Sequence, residues 1–163
     1  MYRTGHYGAA LLVWAPVGLA LLLLDRPDAA IAGGAVCLAL TRLPDYDLKV
    51  PFMTHRGITH TVWFALLVGG ALGGAAWVLT GQLPLAAFAG GVGVLSVGAH
   101  LFADVITPAG IAPLWPVSRR EYTLSLATAD SAVANATLLA VGAFLTAVAV
   151  LLGGRFAGVP IGV

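Results

Sequence analysis

The sequence is poor in charge and in cysteine, and each shortage excludes a class of protein. Charged residues make up 9% of the 163 residues and hydrophobic residues 60%, whereas a soluble domain carries roughly 25% charged residues. The net charge of +1 gives no electrostatic reason to expect nucleic acid as a partner. The single cysteine, Cys37, excludes an internal disulfide. The composition therefore indicates one integral membrane domain over residues 1–163.

Five apolar runs approach the length of about 20 residues that a helix needs to cross a bilayer. They cover residues 7–24, 28–43, 58–80, 84–106 and 131–152, and the second is short and rich in glycine. We therefore predict an all-α, polytopic bundle of about five transmembrane helices. The first run also has features of a secretory signal, but four further runs follow it, and cleavage would remove His6.

The basic residues are distributed unevenly between the two sides of such a bundle. With five crossings, the N-terminus and the longer polar segments 44–57 and 107–130 share one face. That face carries six of the eight basic residues, namely Arg3, Arg42, Lys49, Arg56, Arg119 and Arg120. The positive-inside rule predicts that this face is cytoplasmic. We expect the chain to be a multi-pass protein of the inner or plasma membrane.

All four histidines and three of the aspartates fall on that same face, where we predict a metal site. The candidate ligands are His6, Asp45, Asp47, His55, His60, His100 and Asp104. Alternate crossings bring the start of each odd helix and the end of each even helix to one layer. Ionisable groups at membrane depth are costly and usually face a bundle interior or a watery cavity. Chance is therefore a poor explanation for this grouping.

Local spacing predicts how these side chains are presented. His100 and Asp104 are four residues apart, which places them on one helix face. Asp45 and Asp47 follow a proline, and in extended backbone their side chains would point the same way. A glycine separates His55 from His60, so we expect the former in the loop and the latter in the first turn of the third helix.

Mixed nitrogen and oxygen ligands suit Zn²⁺ first, with Mn²⁺ or Fe as alternatives. Seven candidates exceed the four ligands of a tetrahedral zinc, which favours two ions about 3.5–4 Å apart, bridged by an aspartate. Arg56, Arg119 and Arg120 are candidate phosphate clamps. Thr59, beside His60, is grouped with them as a candidate catalytic residue.

The motifs that carry these residues resemble a known family. Gly5-His6, Leu43-Pro44-Asp45-Tyr46-Asp47, His55-Arg56-Gly57-Ile58-Thr59-His60 and His100-x-x-x-Asp104-x-x-Thr107-Pro108-Ala109-Gly110 occur in that order. They are similar to the YdjM-like family of predicted membrane-bound metal-dependent hydrolases, of the LexA-regulated type. The resemblance implies a helical, membrane-embedded hydrolase with these His and Asp residues as metal ligands. The segment Pro113-Leu114-Trp115-Pro116 follows these motifs. The resemblance implies a further polar residue shortly after it, and both Asp130 and Asn135 are candidates.

The leading functional prediction is hydrolysis of a phosphoester in a lipid-like or amphiphilic substrate by metal-activated water, with membrane lipids as partners. One alternative is a transporter of metal ions or protons, although transporters usually hold their ligands near the bilayer midplane. The other is a non-catalytic membrane protein with a structural metal site, which would be closed to substrate.

Overall fold

The computed structural model describes residues 1–156, and this part of the chain forms five α-helices and no strand. The helices are α1 (Arg3–Leu23), α2 (Pro27–Leu40), α3 (Val62–Thr80), α4 (Leu83–Val105) and α5 (Ala132–Phe156). The predicted all-α bundle is therefore confirmed. Four of the helices are long and apolar enough to cross a membrane. The exception is α2, whose 14 residues extend over about 21 Å.

The helices pack in an antiparallel order around α1 and α4. α1 contacts α5, α2 and α4, while α3 packs against α4. Connections of a few residues join α1 to α2 and α3 to α4 at one end of the bundle. The starts of α1, α3 and α5 and the ends of α2 and α4 therefore share the other end, as the alternate crossings predict.

Glycines allow two of these helix pairs to approach closely. A Cβ atom added at Gly8 would collide with the backbone of Leu138 in α5, and one added at Gly142 would collide with the carbonyl of Gly8. Between α3 and α4, a Cβ on Gly93 would lie 3.0 Å from the Cα of Gly69. Small residues at such contacts bring backbones together where lipid provides no hydrophobic driving force.

Trp14 connects α1 to the short helix α2. Its indole Nε1 donates a hydrogen bond to the carbonyl of Ala30 at 3.1 Å, and its ring packs edge-on against Phe88 of α4. Further along α2, the Ser96 hydroxyl of α4 donates to the carbonyl of Cys37 at 2.7 Å. These buried contacts fix α2 against the long helices despite its length.

The segment between α2 and α3 differs from the prediction. Pro44–Lys49 and Ile58–His60 are short 3₁₀ helices, and α3 begins at Val62 rather than near residue 58. The expectation of extended backbone at Asp45 and Asp47 is wrong. In a 3₁₀ helix, residues two apart are rotated by about 240°, so these two carboxylates diverge.

His60 consequently lies just before α3 and not in its first turn. Thr61 is the N-cap of α3, and its side-chain oxygen accepts a hydrogen bond from the backbone N–H of Phe64 at 3.2 Å. Threonine is favoured at this position because its hydroxyl satisfies an otherwise unpaired donor of the first turn. The cap therefore marks the start of α3 directly after the 3₁₀ turn that carries His60.

Candidate metal centre

The structure brings all seven candidate ligands together at one end of the bundle. His6 comes from the start of α1, and His100 and Asp104 come from the end of α4. The others come from the segment between α2 and α3, namely Asp45, Asp47, His55 and His60. His6, His60, His100, Asp47 and Asp104 are almost completely buried, at 0–2% exposure. Three separate parts of the chain thus contribute to one polar cluster inside an apolar bundle.

The centre of this cluster is a set of two nitrogens and two oxygens. The Nε2 atoms of His60 and His100 lie 3.1 Å apart. Asp104 Oδ2 is 3.4 Å and 3.3 Å from them, and Asp45 Oδ1 is 3.8 Å and 3.6 Å from them. Ligands of a tetrahedral zinc, with bonds of about 2.0–2.1 Å, are about 3.3 Å apart. The donor atoms are therefore spaced as they would be around one divalent ion.

His6 faces the opposite oxygen of each of these two carboxylates. Its Nε2 lies 3.8 Å from Asp45 Oδ2 and 3.9 Å from Asp104 Oδ1. Its ring stacks on that of His100, with centroids 3.9 Å apart and an interplanar angle of 4°. Asp45 and Asp104 thus each present one oxygen to the His60–His100 pair and the other to His6. Bridging carboxylates in two-metal sites divide their oxygens in this way.

One unpaired polar atom in this cluster also fits a cation. Asp104 Oδ2 is buried and has no hydrogen-bond partner among the described residues. An unpaired buried carboxylate oxygen costs free energy unless a positive group approaches it. The residues present therefore fit a metal ion between Asp104 Oδ2 and the facing imidazoles.

Two cationic groups already contact Asp104 Oδ1. The amino nitrogen of Met1 lies 2.8 Å from this oxygen, and the guanidinium Nη2 of Arg56 lies 3.2 Å from it. Arg56 Nη1 also donates to the carbonyl of Gly110 at 2.9 Å and to the hydroxyl of Thr107 at 3.3 Å. The guanidinium of Arg56 therefore points inward and holds Asp104 in place. No sequence motif pointed to the amino group of Met1.

Asp47 lies behind His60 and controls which nitrogen of that imidazole carries a proton. Its Oδ2 accepts hydrogen bonds from the Thr59 hydroxyl at 2.9 Å and the backbone N–H of Arg56 at 3.2 Å. Since the Thr59 hydroxyl donates to Asp47, the oxygen of Thr59 accepts from Nδ1 of His60, 3.0 Å away. The proton of His60 is thus on Nδ1, and the lone pair of Nε2 faces the inner cluster.

Asp47 is held in its ionised form by the same contacts. Burial alone would raise the pKa of its carboxyl, but hydrogen bonds from His55 and Thr59 and the nearby imidazoles outweigh burial and lower the pKa. His55 Nδ1 lies 3.0 Å from Asp47 Oδ1. An imidazole ligand is commonly oriented by a carboxylate behind it, which stabilises the required tautomer.

Asp47, His55 and His60 also form a ligand group of their own. The geometry favours a role for Asp47 and Thr59 in orienting His60, because three donors already occupy the oxygens of Asp47. That Asp47 and His55 bind metal directly stays a prediction.

Arg119 and Arg120 lie apart from this cluster. Both are exposed, and the guanidinium carbon of Arg120 lies 5.3 Å from the centroid of the Tyr122 ring. Within residues 1–156, neither side chain forms a hydrogen bond or ion pair with a candidate ligand. Their predicted role as phosphate clamps is untested by this geometry.

Of the two later polar candidates, Asn135 supports the site and Asp130 lies outside it. Asn135 is 3% exposed, and its Oδ1 accepts a hydrogen bond from the backbone N–H of Tyr2 at 3.0 Å. Its Nδ2 donates to the carbonyls of Ala129 and Ser131. The start of α1, which carries His6, is thereby fixed to the start of α5. Asp130 is fully exposed.

Comparison with known proteins identifies the family. The family model described as YdjM inner membrane protein matches residues 1–159. The chain belongs to the YdjM family. The match covers all seven candidate ligands, and the four membrane-length helices agree with an inner membrane protein. No curated protein and no solved structure matches the chain.

Proposed function

We propose that this YdjM family member is a membrane-embedded, metal-dependent hydrolase that cleaves a phosphoester of an amphiphilic substrate at the cytoplasmic face. The observation that carries the proposal is the division of oxygens in the cluster. Asp45 and Asp104 each direct one oxygen to the His60–His100 pair and the other to His6. Two-metal hydrolases use carboxylates in this bridging arrangement.

The donor set supports two divalent ions, with Zn²⁺ first and Mn²⁺ or Fe as alternatives, because imidazole and carboxylate suit these metals. His60, His100, Asp45 and Asp104 would hold the first ion. His6 and Asp45 Oδ2 would hold the second, and Asp104 Oδ1 would join them if the ion displaced the Met1 amino group that lies 2.8 Å from this oxygen. When bound, such ions supply a Lewis acid that activates water and stabilises charge on a phosphoryl oxygen.

The chain's own residues contribute orientation. Asp47 and Thr59 keep the Nε2 lone pair of His60 directed at the cluster, as described above. Arg56 binds Asp104 Oδ1 and so fixes the other oxygen, Oδ2, toward the two imidazoles. Preorganised ligands of this kind lower the cost of holding charge in the transition state. Arg56 acts in this proposal mainly as a positioning residue.

Access to the cluster is from the side of the polar loops. Three side chains there are partly exposed, namely Asp45 at 22%, His55 at 38% and Arg56 at 17%. The positive-inside rule, applied to the basic residues of this end, supports a cytoplasmic orientation. A substrate whose headgroup lies in the membrane interface would reach the cluster from this side.

One observation favours a second function. The three imidazoles of the inner cluster are at most 1% exposed, and structural metal sites are closed whereas catalytic sites keep an open position. A non-catalytic membrane protein with a structural metal site is therefore the alternative.

Hydrolysis of a soluble phosphodiester tests the proposal without assuming any lipid. We expect protein loaded with Zn²⁺ or Mn²⁺ in detergent to release nitrophenol from bis(4-nitrophenyl) phosphate, and His60→Ala to lose this activity while eluting as a folded species. Asp130→Asn, an exposed aspartate outside the cluster, is the control. Folded, metal-loaded protein without activity toward this and other phosphoesters contradicts the enzyme, and collapse of His60→Ala favours the structural site.

A further inference from the structure

A cavity of about 460 Å³ lies beside the metal cluster, at the surface of the end that carries the polar loops. Small-molecule sites in proteins commonly have volumes of about 300–1,000 Å³. The cavity lies between the loop before α3 and the segment after α4. Its walls include Phe52, Met53, Arg56, Ile58, Ala112 and Trp115.

The walls of the cavity are mostly apolar, and Arg56 is the charged residue among them. Phe52 is fully exposed, and Ile58, Trp115 and Met53 are 53%, 38% and 37% exposed. Large apolar side chains exposed around one concave surface mark a site for an apolar ligand or for a membrane. These side chains belong to the loops at the end of the bundle and not to the lipid-facing surfaces of the long helices.

Arg56 joins this cavity to the cluster. Its side chain lines the cavity, and its Nη2 lies 3.2 Å from Asp104 Oδ1. In a molecule that filled the cavity, one end would contact Arg56, which in turn contacts the candidate metal ligand Asp104. The cavity therefore adjoins the proposed site through Arg56, and most of its other walls are apolar side chains.

The charges around the cavity match an anionic head. Arg56 lies at its inner end, and the exposed residues Lys49, Arg119 and Arg120 lie on the two segments that flank it. Guanidinium and ammonium groups attract phosphate, while the apolar walls would repel a wholly polar ligand. An amphiphile with a phosphate at one end and a hydrocarbon chain at the other satisfies both requirements.

We propose that this cavity binds the hydrocarbon chain of an anionic alkyl phosphate, with its phosphate at the Arg56 end next to the metal cluster. Binding of the chain does not depend on catalysis. This inference rests on the proposed hydrolase function only where it identifies the alkyl phosphate as the substrate.

Photolabelling tests where the chain binds. The probe is dodecyl phosphate with a diazirine at the end of its chain, added to the metal-loaded full chain in nanodiscs. We expect crosslinks to the peptide segments that carry Phe52, Met53, Ile58 and Trp115. Excess unlabelled dodecyl phosphate should suppress them, and excess dodecanol should not.

Two variants fill the cavity, and one matched variant does not. Ile58→Trp and Ala112→Trp place a large ring in its wall, whereas Leu126→Trp adds one at an exposed position of the same end outside it. Losing the burial of about two methylene groups costs about tenfold in affinity. We expect both cavity variants to reduce the suppressible labelling about tenfold and Leu126→Trp to leave it unchanged.

The results separate this inference from the proposed function. Suppressible labelling of these segments in protein that hydrolyses no phosphoester supports the chain site and contradicts the enzyme. Hydrolysis of bis(4-nitrophenyl) phosphate without such labelling overturns the chain site alone. Labelling confined to the lateral groove between α1, α2 and α5, for example at Leu11 or Ile31, also overturns it. Equal suppression by dodecanol overturns the assignment of the phosphate end.

Discussion

His60 and His100 are 40 residues apart in the chain, yet their Nε2 atoms lie 3.1 Å from each other. Two nitrogens at this distance share either a proton or a cation. Because Thr59 and Asp47 keep the proton of His60 on Nδ1, its Nε2 presents a lone pair. A proton on Nε2 of His100 would satisfy only this lone pair. A divalent ion would satisfy the lone pair and also the buried Oδ2 of Asp104.

Metal stoichiometry should distinguish the two halves of the cluster. We expect the purified protein to contain two divalent ions per chain, measured by elemental mass spectrometry. His6→Ala should retain one ion, because it leaves the His60–His100 pair and one oxygen of each aspartate intact. His100→Ala should retain at most one, bound weakly, since it removes a ligand of the better-formed set.

Asp130→Asn serves as the control for these variants, because Asp130 is fully exposed outside the cluster. Folded wild-type protein that contains no metal after incubation with Zn²⁺, Mn²⁺ and Fe would rule out the metal site. One ion in both wild type and His6→Ala would reduce the proposal to a single-metal centre.

Substitution of Thr59 tests the orientation of His60. Thr59→Val keeps the shape of the side chain but removes the hydroxyl that connects Asp47 to His60 Nδ1. Loss of such an outer contact typically weakens metal binding by about 10–100-fold. We expect that loss in competition with a chelator of known affinity. Thr59→Ser, which retains the hydroxyl, should bind nearly as well as wild type.

Equal affinities for the Val and Ser variants would mean that the hydroxyl does not set the tautomer. A loss of metal accompanied by aggregation of both variants would instead assign Thr59 a packing role.

The convergence of the ligands followed from the order of apolar runs in the sequence. Alternate crossings require His6, His60 and His100 to lie at the same end, whatever the details of packing. The i, i+4 spacing of His100 and Asp104 also predicts a shared helix face, and both side chains are directed into the cluster. These features depend on helix geometry alone, which a sequence specifies well.

The arrangement of individual atoms could not be read in the same way. The separation of Asp45 from Asp47 depends on a 3₁₀ helix after Pro44, and a proline there is equally compatible with extended backbone. The inward direction of Arg56 depends on the carbonyl of Gly110, which is 54 residues away. Such contacts are set by how the loops pack and have no local signature.

The orientation of the protein can be tested by cysteine labelling in cells. Cys37 is completely buried, so the native protein should react little with a membrane-impermeant maleimide. Met53→Cys lies at the end that carries the cluster, and Gln82→Cys lies in the turn at the opposite end. If the positive-inside rule holds, Gln82→Cys should be labelled from outside and Met53→Cys only in inverted vesicles.

The reverse pattern would place the cluster on the outer face of the membrane. Labelling of both variants from the same side would contradict the topology itself, because α3 lies between the two positions.

Close packing of α1 against α5 should matter for metal binding as well as for stability. A Cβ at Gly8 would collide with the backbone of α5 at Leu138, and a rigid backbone cannot move aside as a flexible side chain can. We expect Gly8→Ala to lower the free energy of unfolding by about 1–3 kcal/mol, as overpacking usually does. The start of α1 would shift with it, and His6 lies only two residues away. Gly8→Ala should therefore also lower occupancy of the second ion.

Gly70→Ala is the matched control, because a Cβ there meets no atom of the described residues within 4 Å. Replacing a helical glycine by alanine in open space should be neutral or stabilise by about 0.5–1 kcal/mol. Thermal unfolding in detergent measures the stability of both variants, and metal analysis of the same samples measures the occupancy of the second ion. If Gly8→Ala were destabilised but retained two ions, the position of His6 would be independent of the α1–α5 contact. The hydrogen bond from the backbone N–H of Tyr2 to Asn135 Oδ1 would then be sufficient to hold His6 in place.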